Sequence, residues 1–388
     1  MRTLSLATLI RTFGNGLLTT VEVIYFTFFV GLSPSKVALG LSVAGGMSLL
    51  LSVPSGHIAD RFGPRDIAVI SFVAEGILLA SFIFVHSFLP FLIVNIFIGA
   101  TSSVGGTLQQ ATIARFGTGE ARVKLRAYLR AITNLGISLG TVFAGFALAV
   151  NNRAGYVTML LLDALSFFVT AYIWHKLPYA PATVDRGEPF AFVALRDKKY
   201  LGATLLNGIM SLHFIIQSVA IPLWVVKETS APRWWVSVIL VVNTVCIVLF
   251  QVRASRGTGD VREGARKFSH AGLYVALACV LYALSAGVSK ILACAILIAA
   301  MLVHVMGELV GSAGSWSIGY GLADEQHQGQ YQGVFSLGWG LGGAFGPSIV
   351  TALTIGMGKS GWIILGAIFI VTGFLMRRLV TGSWMSSQ

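Results

Sequence analysis

Twelve apolar stretches of 18 residues or more follow one another along this chain, near residues 7–30, 37–58, 67–86, 89–113, 128–150, 154–174, 200–226, 234–252, 269–287, 290–316, 331–356 and 360–378. A helix needs about 20 apolar residues to cross the ~30 Å hydrocarbon core of a bilayer, so each stretch is long enough to span one. In lipid a segment must satisfy its own backbone, which a helix does alone, whereas barrel strands would alternate over ~10 residues. The chain therefore reads as an all-α membrane protein with twelve transmembrane helices. Composition argues against an aqueous enzyme domain. Of 388 residues 55% are hydrophobic and 11% charged, and the mean hydropathy is +0.81. Forty-four glycines suit helices that approach one another closely.

The net charge of +12 would suggest nucleic acid in a soluble chain. Here the basic residues sit in short clusters between apolar runs, so the expected partner is the anionic face of a bilayer, with no nucleic acid. With both termini cytoplasmic, twenty Lys and Arg fall on the inner side, six fall outside, and Arg11 lies within the first span. That asymmetry fixes the expected orientation, because an error of one span would scramble it. Residues 1–10 carry Arg2 as their one charge and show no small-residue cleavage site, so the first span is expected to stay in the mature protein. Cys246, Cys279 and Cys294 lie inside apolar runs without metal-ligand spacing, so neither a disulfide nor a metal site is expected.

The longest connection, 175–199, contains Pro178, Pro181 and Pro189 and reads as a cytoplasmic linker between an N-terminal six-helix bundle, 1–174, and a C-terminal one, 200–388. Two pseudo-symmetric halves are suggested by an echo after the second span of each. Asp60, Arg61, Gly63 and Arg65 in the first are matched in order by Asp260, Arg262, Gly264 and Arg266 in the second.

Residues 56–65, GHIADRFGPR, fit the pattern G-x-x-x-D-R-x-G-x-R after span two of twelve. This resembles the signature loop of the major facilitator superfamily, and the resemblance covers the whole chain. Gly56 would allow close helix approach, Gly63 a tight turn, and Arg61 and Arg65 would anchor the cytoplasmic face. The resemblance implies that Asp60 meets the free N–H groups at the start of span eleven and latches the cytoplasmic side shut. Residues 126–140, RAYLRAITNLGISLG, and 331–347, YQGVFSLGWGLGGAFGP, resemble spans five and eleven of bacterial drug:proton antiporters. Two departures stand against that branch: Gly136, Gly140 and Gly145 have no proline among them, and Asn95 before Gly99 replaces a buried Arg. Residues 338–343 satisfy GxGxxG but lie in an apolar helical run with no preceding strand, and no P-loop occurs, so no nucleotide cofactor is expected.

Ionisable groups are expensive in the membrane, by about 2.5–3.5 kcal/mol on insertion scales, so Glu22, Glu75, Asp163 and Glu308 invite a functional reading. In the superfamily fold, spans 1, 4, 7 and 10 line a central cavity, which assigns Glu22 and Glu308 to it and leaves Glu75 and Asp163 as helix-packing groups. Arg11, Asn15, Leu18 and Glu22 form one stripe of span one, with Arg11 and Glu22 too far apart to pair. His304 and Glu308 stand at i, i+4 in span ten, where each influences the other's proton affinity. Glu22, Glu308 and His304 are the expected proton-coupling groups. Asn15, Asn95, Gln110, His213 and Gln217 join Glu22 and Glu308 as expected substrate contacts. Trp224 and Trp316, near span ends, fit interfacial anchors.

The expected function is secondary transport by alternating access, favouring proton-coupled export of an amphipathic small molecule across a bacterial inner membrane by a functional monomer. A metabolite or sugar importer, a lipid flippase, and a transport-inactive receptor or scaffold are the alternatives.

Overall fold

The computed structural model describes residues 2–115, 119–179, 181–184 and 192–382. Among them there is no strand, and twelve long helical segments account for nearly all of the chain. We number them α1 (Arg2–Ile24, continued by a π-turn at Tyr25–Phe29), α2 (Pro34–Phe62), α3 (Pro64–Phe84), α4 (Phe88–Arg115), α5 (Glu120–Val150) and α6 (Arg153–His175). These are followed by α7 (Lys198–Glu228), α8 (Trp235–Ala254), α9 (Val261–Leu284), α10 (Lys290–Gly321), α11 (Gln328–Thr351, continued by a π-turn at Ala352–Gly356) and α12 (Gly358–Thr381). Ten are long and apolar enough to cross a membrane by length and composition. The other two are α1, which carries Arg2, Arg11 and Glu22, and the glycine-rich α11.

The helices outrun the apolar stretches at their polar ends. α5 starts at Glu120 where the apolar reading starts at 128, α9 at Val261 where it starts at 269, and α10 continues past 316 to Gly321. The apolar count registers only what lipid can cover, while the backbone ladder continues through charged turns. Starts are set by local chemistry. Pro34 and Pro64 occupy first-turn positions, where a missing N–H costs nothing. Asn152 and Asp197 cap α6 and α7 by accepting from the N–H groups of Gly155 and Tyr200 at 2.7 and 2.9 Å.

The chain divides into two compact units. The first comprises Met1–Phe116, Leu129–Val193 and Asp324–Gly333, and the second Gly117–Tyr128, Ala194–Ala323 and Val334–Gln388. This division exchanges two short segments relative to simple halves. Of the 175–199 connection, residues 180 and 185–191 lie outside the described residues, and 181–184 contact the end of α2 through the Thr183 and Val184 N–H groups on the Asp60 carbonyl.

In the first unit, α1 lies against α5 with almost no side-chain volume between them. A Cβ on Gly140 would fall on the Phe13 carbonyl, and one on Gly16 on the Ile137 carbonyl. Phe26 fills the middle, with ring centroids 4.5 Å from Phe91 and 4.9 Å from Phe82. In the second unit, Trp224, Tyr282 and Trp362 form a buried aromatic cluster, and the Trp224 indole N–H donates to the Tyr282 carbonyl at 2.9 Å. Trp224 is therefore a core residue and not an interfacial anchor. Trp316 is buried as well, with the Arg126 guanidinium 5.7 Å from its ring. Both face inward at span ends because a partner there receives their polar edge or ring face.

The echo between connections is one of residue order and not of place. Asp60 ends α2, whereas Asp260 caps the start of α9 by accepting from the Arg262 N–H at 3.2 Å.

Candidate functional site

The second unit holds a polar cluster deep in apolar surroundings. Glu308 on α10 is 1% exposed. Its Oε2 accepts from the Gln217 side chain of α7 at 2.7 Å and from the Asn243 side chain of α8 at 3.0 Å. One turn earlier, fully buried His304 has its Nδ1 3.3 Å from the Tyr282 hydroxyl of α9 and its Nε2 3.4 Å from Nδ1 of His213 on α7. Four helices thus converge on two residues spaced i, i+4. The arrangement chains a hydroxyl and two imidazoles, each able to take and release a proton, beside a carboxylate oriented by two neutral amides.

Local backbone contributes to this placement. Gln217 sits in a π-turn, Ile216–Ala220, directly before Pro222. Proline cannot donate to the carbonyl four residues back, and the wider turn at this point re-aims the side chains that follow His213. Sequence reasoning brought His213, Gln217, His304 and Glu308 forward but missed Asn243 and Tyr282. Their signals were faint: one Asn in a 20-residue run of mean hydropathy 2.3, and one Tyr on a helix assigned to the periphery.

The first unit holds a second buried polar group. Arg11 on α1 donates to the Gln109 side-chain carbonyl at 2.7 Å, and the Gln109 amide donates to the Thr8 hydroxyl at 3.1 Å. Glu75 on α3 and Asp163 on α6 act electrostatically on Arg11, and both are buried. Glu75 and Asp163 are thus joined to the charge on α1. Glu22, also on α1, is buried and within electrostatic reach of Asp163. The α4 residue that meets Arg11 is Gln109, where sequence reasoning singled out the neighbouring Gln110, which is half-buried together with Asn15. Asn95 donates its side-chain amide to the Phe91 carbonyl of its own helix at 3.0 Å, and Gly99 one turn on lies against the Ala44 backbone of α2. That part of α4 is a helix contact.

The signature loop forms a third site, also within the first unit. Asp60 has no exposed surface. Its Oδ1 accepts from the Gly329 N–H at 2.7 Å and its Oδ2 from the Gln330 N–H at 2.9 Å, both in the first turn of α11. Free amides at a helix start carry partial positive charge, which suits a carboxylate. The approach is possible because Gly56 and Gly329 face each other, and a Cβ on either would strike the other's backbone. Gly63 turns the chain between α2 and α3 at φ +83° and ψ 143°, a sparsely populated conformation that costs a side-chain-bearing residue roughly 1–3 kcal/mol. Arg65 pairs with Asp66 at 2.7 Å and donates to the Leu177 carbonyl at 3.2 Å, while Arg61 is half-buried. Arg115 of α4, not singled out by sequence reasoning, stands 3.8 Å from Asp60.

Comparison with known proteins agrees with this architecture. The chain is 23% identical over 188 residues to the uncharacterized MFS-type transporter YqjV of Bacillus subtilis (strain 168), a match covering 48% of this chain and 46% of that one. The match thus spans about half the length of that relative. In structure it resembles the human organic anion transporter MFSD10, with a TM-score of 0.73 at 16% identity over 97% of this chain and 98% of that one. It also resembles the E. coli fucose:proton symporter FucP, with a TM-score of 0.75 at 13% identity over 97% of each chain. The family model described as Major Facilitator Superfamily matches residues 4–347, a span that takes in all three polar sites, and the chain belongs to that superfamily.

Proposed function

We propose that this protein is a secondary active transporter working by alternating access, and that it exports an amphipathic, cationic small molecule in exchange for protons. The observation that carries the reading is the Glu308 carboxylate, buried in α10 and held by Gln217 and Asn243 from two other helices. A charged carboxylate in hydrocarbon costs several kcal/mol. Amide donors orient it without cancelling its charge, so a proton, a protonated His304 or a cationic substrate group supplies the neutralisation. Proton and substrate then compete for one group, which is the requirement for exchange. The Tyr282, His304 and His213 chain delivers and removes the proton.

Glu22 is the second coupling carboxylate. Asn15, Gln110, His213 and Gln217 supply polar contacts to substrate, while Asn95, buried and bonded to Phe91 in its own helix, belongs to the helix contact. Asp60, with Gly56, Arg61, Gly63 and Arg65, forms the conformational latch. The protein works as a monomer in a bacterial cell membrane with both termini cytoplasmic, moving solute without making bonds and without a cofactor. Superfamily membership supports transport, and the likeness to a fucose:proton symporter supports proton coupling on this fold.

The test is reconstitution of the full chain into liposomes with an imposed pH gradient and a panel of cationic dyes and antibiotics. Substrate-dependent proton flux is expected, lost in Glu308→Gln and reduced in Glu22→Gln. Undiminished coupled flux in both variants would remove the proposed roles. Accumulation of solute down the proton gradient would make the protein an importer. Absence of flux for every compound would favour a receptor or scaffold.

A further inference from the structure

Where α3, α4 and α6 meet Leu177, Pro178, Tyr179, Pro181 and Thr183, the first unit forms a cavity of about 300 Å³, at the small end of the range for ligand pockets. Among the described residues its lining includes two guanidinium groups, Arg65 and Arg115, and no acidic side chain. Main-chain carbonyls fix both cations in place. Arg115 donates to the Pro181 carbonyl at 2.6 Å and to the Ala59 carbonyl at 3.3 Å, and Arg65 donates to the Leu177 carbonyl at 3.2 Å. The Arg65 guanidinium also lies 5.4 Å from the Tyr179 ring. The Arg115 Nε–H is buried and has no hydrogen-bond partner. A buried donor without an acceptor needs one, and the planar fork of Arg matches a phosphate better than it matches a carbonyl.

Two hydroxyls, of Thr112 and Thr183, also face the cavity, and the remaining side chains, among them Trp174, Pro178, Pro181 and the ring of Tyr179, are apolar or aromatic. Each Arg already has an acid nearby, Asp66 at 2.7 Å and Asp60 at 3.8 Å, but both acids lie outside the lining. The charged groups that the described lining presents are therefore both cationic. We propose that this cavity binds a phosphate group between Arg65 and Arg115, with the uncharged part of the ligand against Trp174 and Tyr179. An acidic phospholipid headgroup and a free phosphate monoester share that chemistry. The site adjoins the Asp60 latch and shares Arg65 with it, but it does not include Glu22 or Glu308, so its occupancy is measurable without a transported substrate.

The experiment is calorimetric titration of the purified full-length protein with dihexanoyl phosphatidylglycerol, dihexanoyl phosphatidylcholine and glycerol 3-phosphate. Saturable binding of the phosphatidylglycerol is expected, at least tenfold tighter than the phosphatidylcholine. Arg115→Gln and Arg65→Gln are each expected to weaken it about tenfold, the loss typical of a charge-assisted contact. Tyr179→Ala, at an exposed position, is expected to weaken it a few-fold. Glycerol 3-phosphate binding as tightly as the lipid assigns the site to soluble phosphates, and much weaker binding assigns it to a headgroup. Equal affinity for the two lipids would overturn the proposal, as would no saturable binding of either phosphate probe, or affinity unchanged across the variants. If Arg115→Gln does not fold, Arg65→Gln and Tyr179→Ala decide the matter.

Discussion

Asp60 accepts one backbone amide on each carboxylate oxygen, so Asp60→Asn turns one acceptor into a donor aimed at a donor. A buried unsatisfied pair of this kind costs about 1–3 kcal/mol. Purified Asp60→Asn is expected to unfold at a lower temperature than the parent, and an unchanged midpoint would show that the amides of Gly329 and Gln330 find other acceptors. Asn243 offers a parallel case. Interhelical hydrogen bonds in membrane proteins are worth about 0.6–2 kcal/mol, so Asn243→Leu is expected to lose that much in a denaturant titration. Glu308 and His304 were legible in the sequence because a charged or titratable residue is rare in an apolar run. Asn243 and Tyr282 were not, because which helix faces Glu308 is a tertiary fact that one-dimensional spacing does not contain. Trp224 was misread for the same reason: its place near a span end suggested the interface, while its indole N–H has a carbonyl partner inside the unit.

At the scale of elements, glycine positions separate helix contacts from open surface. A Cβ on Gly140 would overlap the Phe13 carbonyl of α1, while one on Gly145, further along α5, would meet nothing within 4 Å. Gly140→Leu is therefore expected to abolish recovery of folded protein, and Gly145→Leu to leave the stability to unfolding within about 1 kcal/mol of the parent. Equal tolerance at both positions would contradict the α1 to α5 contact. The start of α11 depends on a second acid besides Asp60. Asp324 accepts from the N–H groups of Gln326 and His327 at 3.0 and 3.1 Å and from the His327 ring at 2.8 Å. Partial burial opposes its charge, but these hydrogen bonds outweigh that and hold its carboxyl below the usual value. A lowered carboxyl stabilises the turn above the ordinary Asp range and loses that contribution as pH falls through the lower folded-state value, so below about pH 4. Asp324→Ala is expected to speed amide exchange over residues 326–330 at neutral pH, and the difference from the parent should shrink in strong acid. The number of helices was legible because apolar length is a local property. Their polar ends and the π-turns at Tyr25–Phe29, Ile216–Ala220 and Ala352–Gly356 were not, since a polar turn and a widened one leave no mark on hydropathy.

For the whole molecule, the distribution of Lys and Arg makes a claim that can be checked without knowing the substrate. Twelve spans with both termini inside would put twenty basic residues on one face and six on the other, which predicts that the connections after α1, α3, α5, α7, α9 and α11 lie outside. Natural Cys246, Cys279 and Cys294 are unpaired and half-buried or buried, so a background with all three replaced carries new labels cleanly. In that background Ser35→Cys and Ser230→Cys, both beside exposed connections, are expected to react with a membrane-impermeant maleimide in intact cells. Thr183→Cys and Arg256→Cys are expected to react only after permeabilisation. The reverse pattern would invert the topology and move the Asp60 loop and the Arg65 and Arg115 cavity to the outer face. There the anionic inner leaflet no longer supplies a partner for the basic clusters, and the assignment of Asp60 as an inner latch fails with it. A mixed pattern would mean that α1 or α11, the two segments with the weakest apolar signal, does not cross the bilayer.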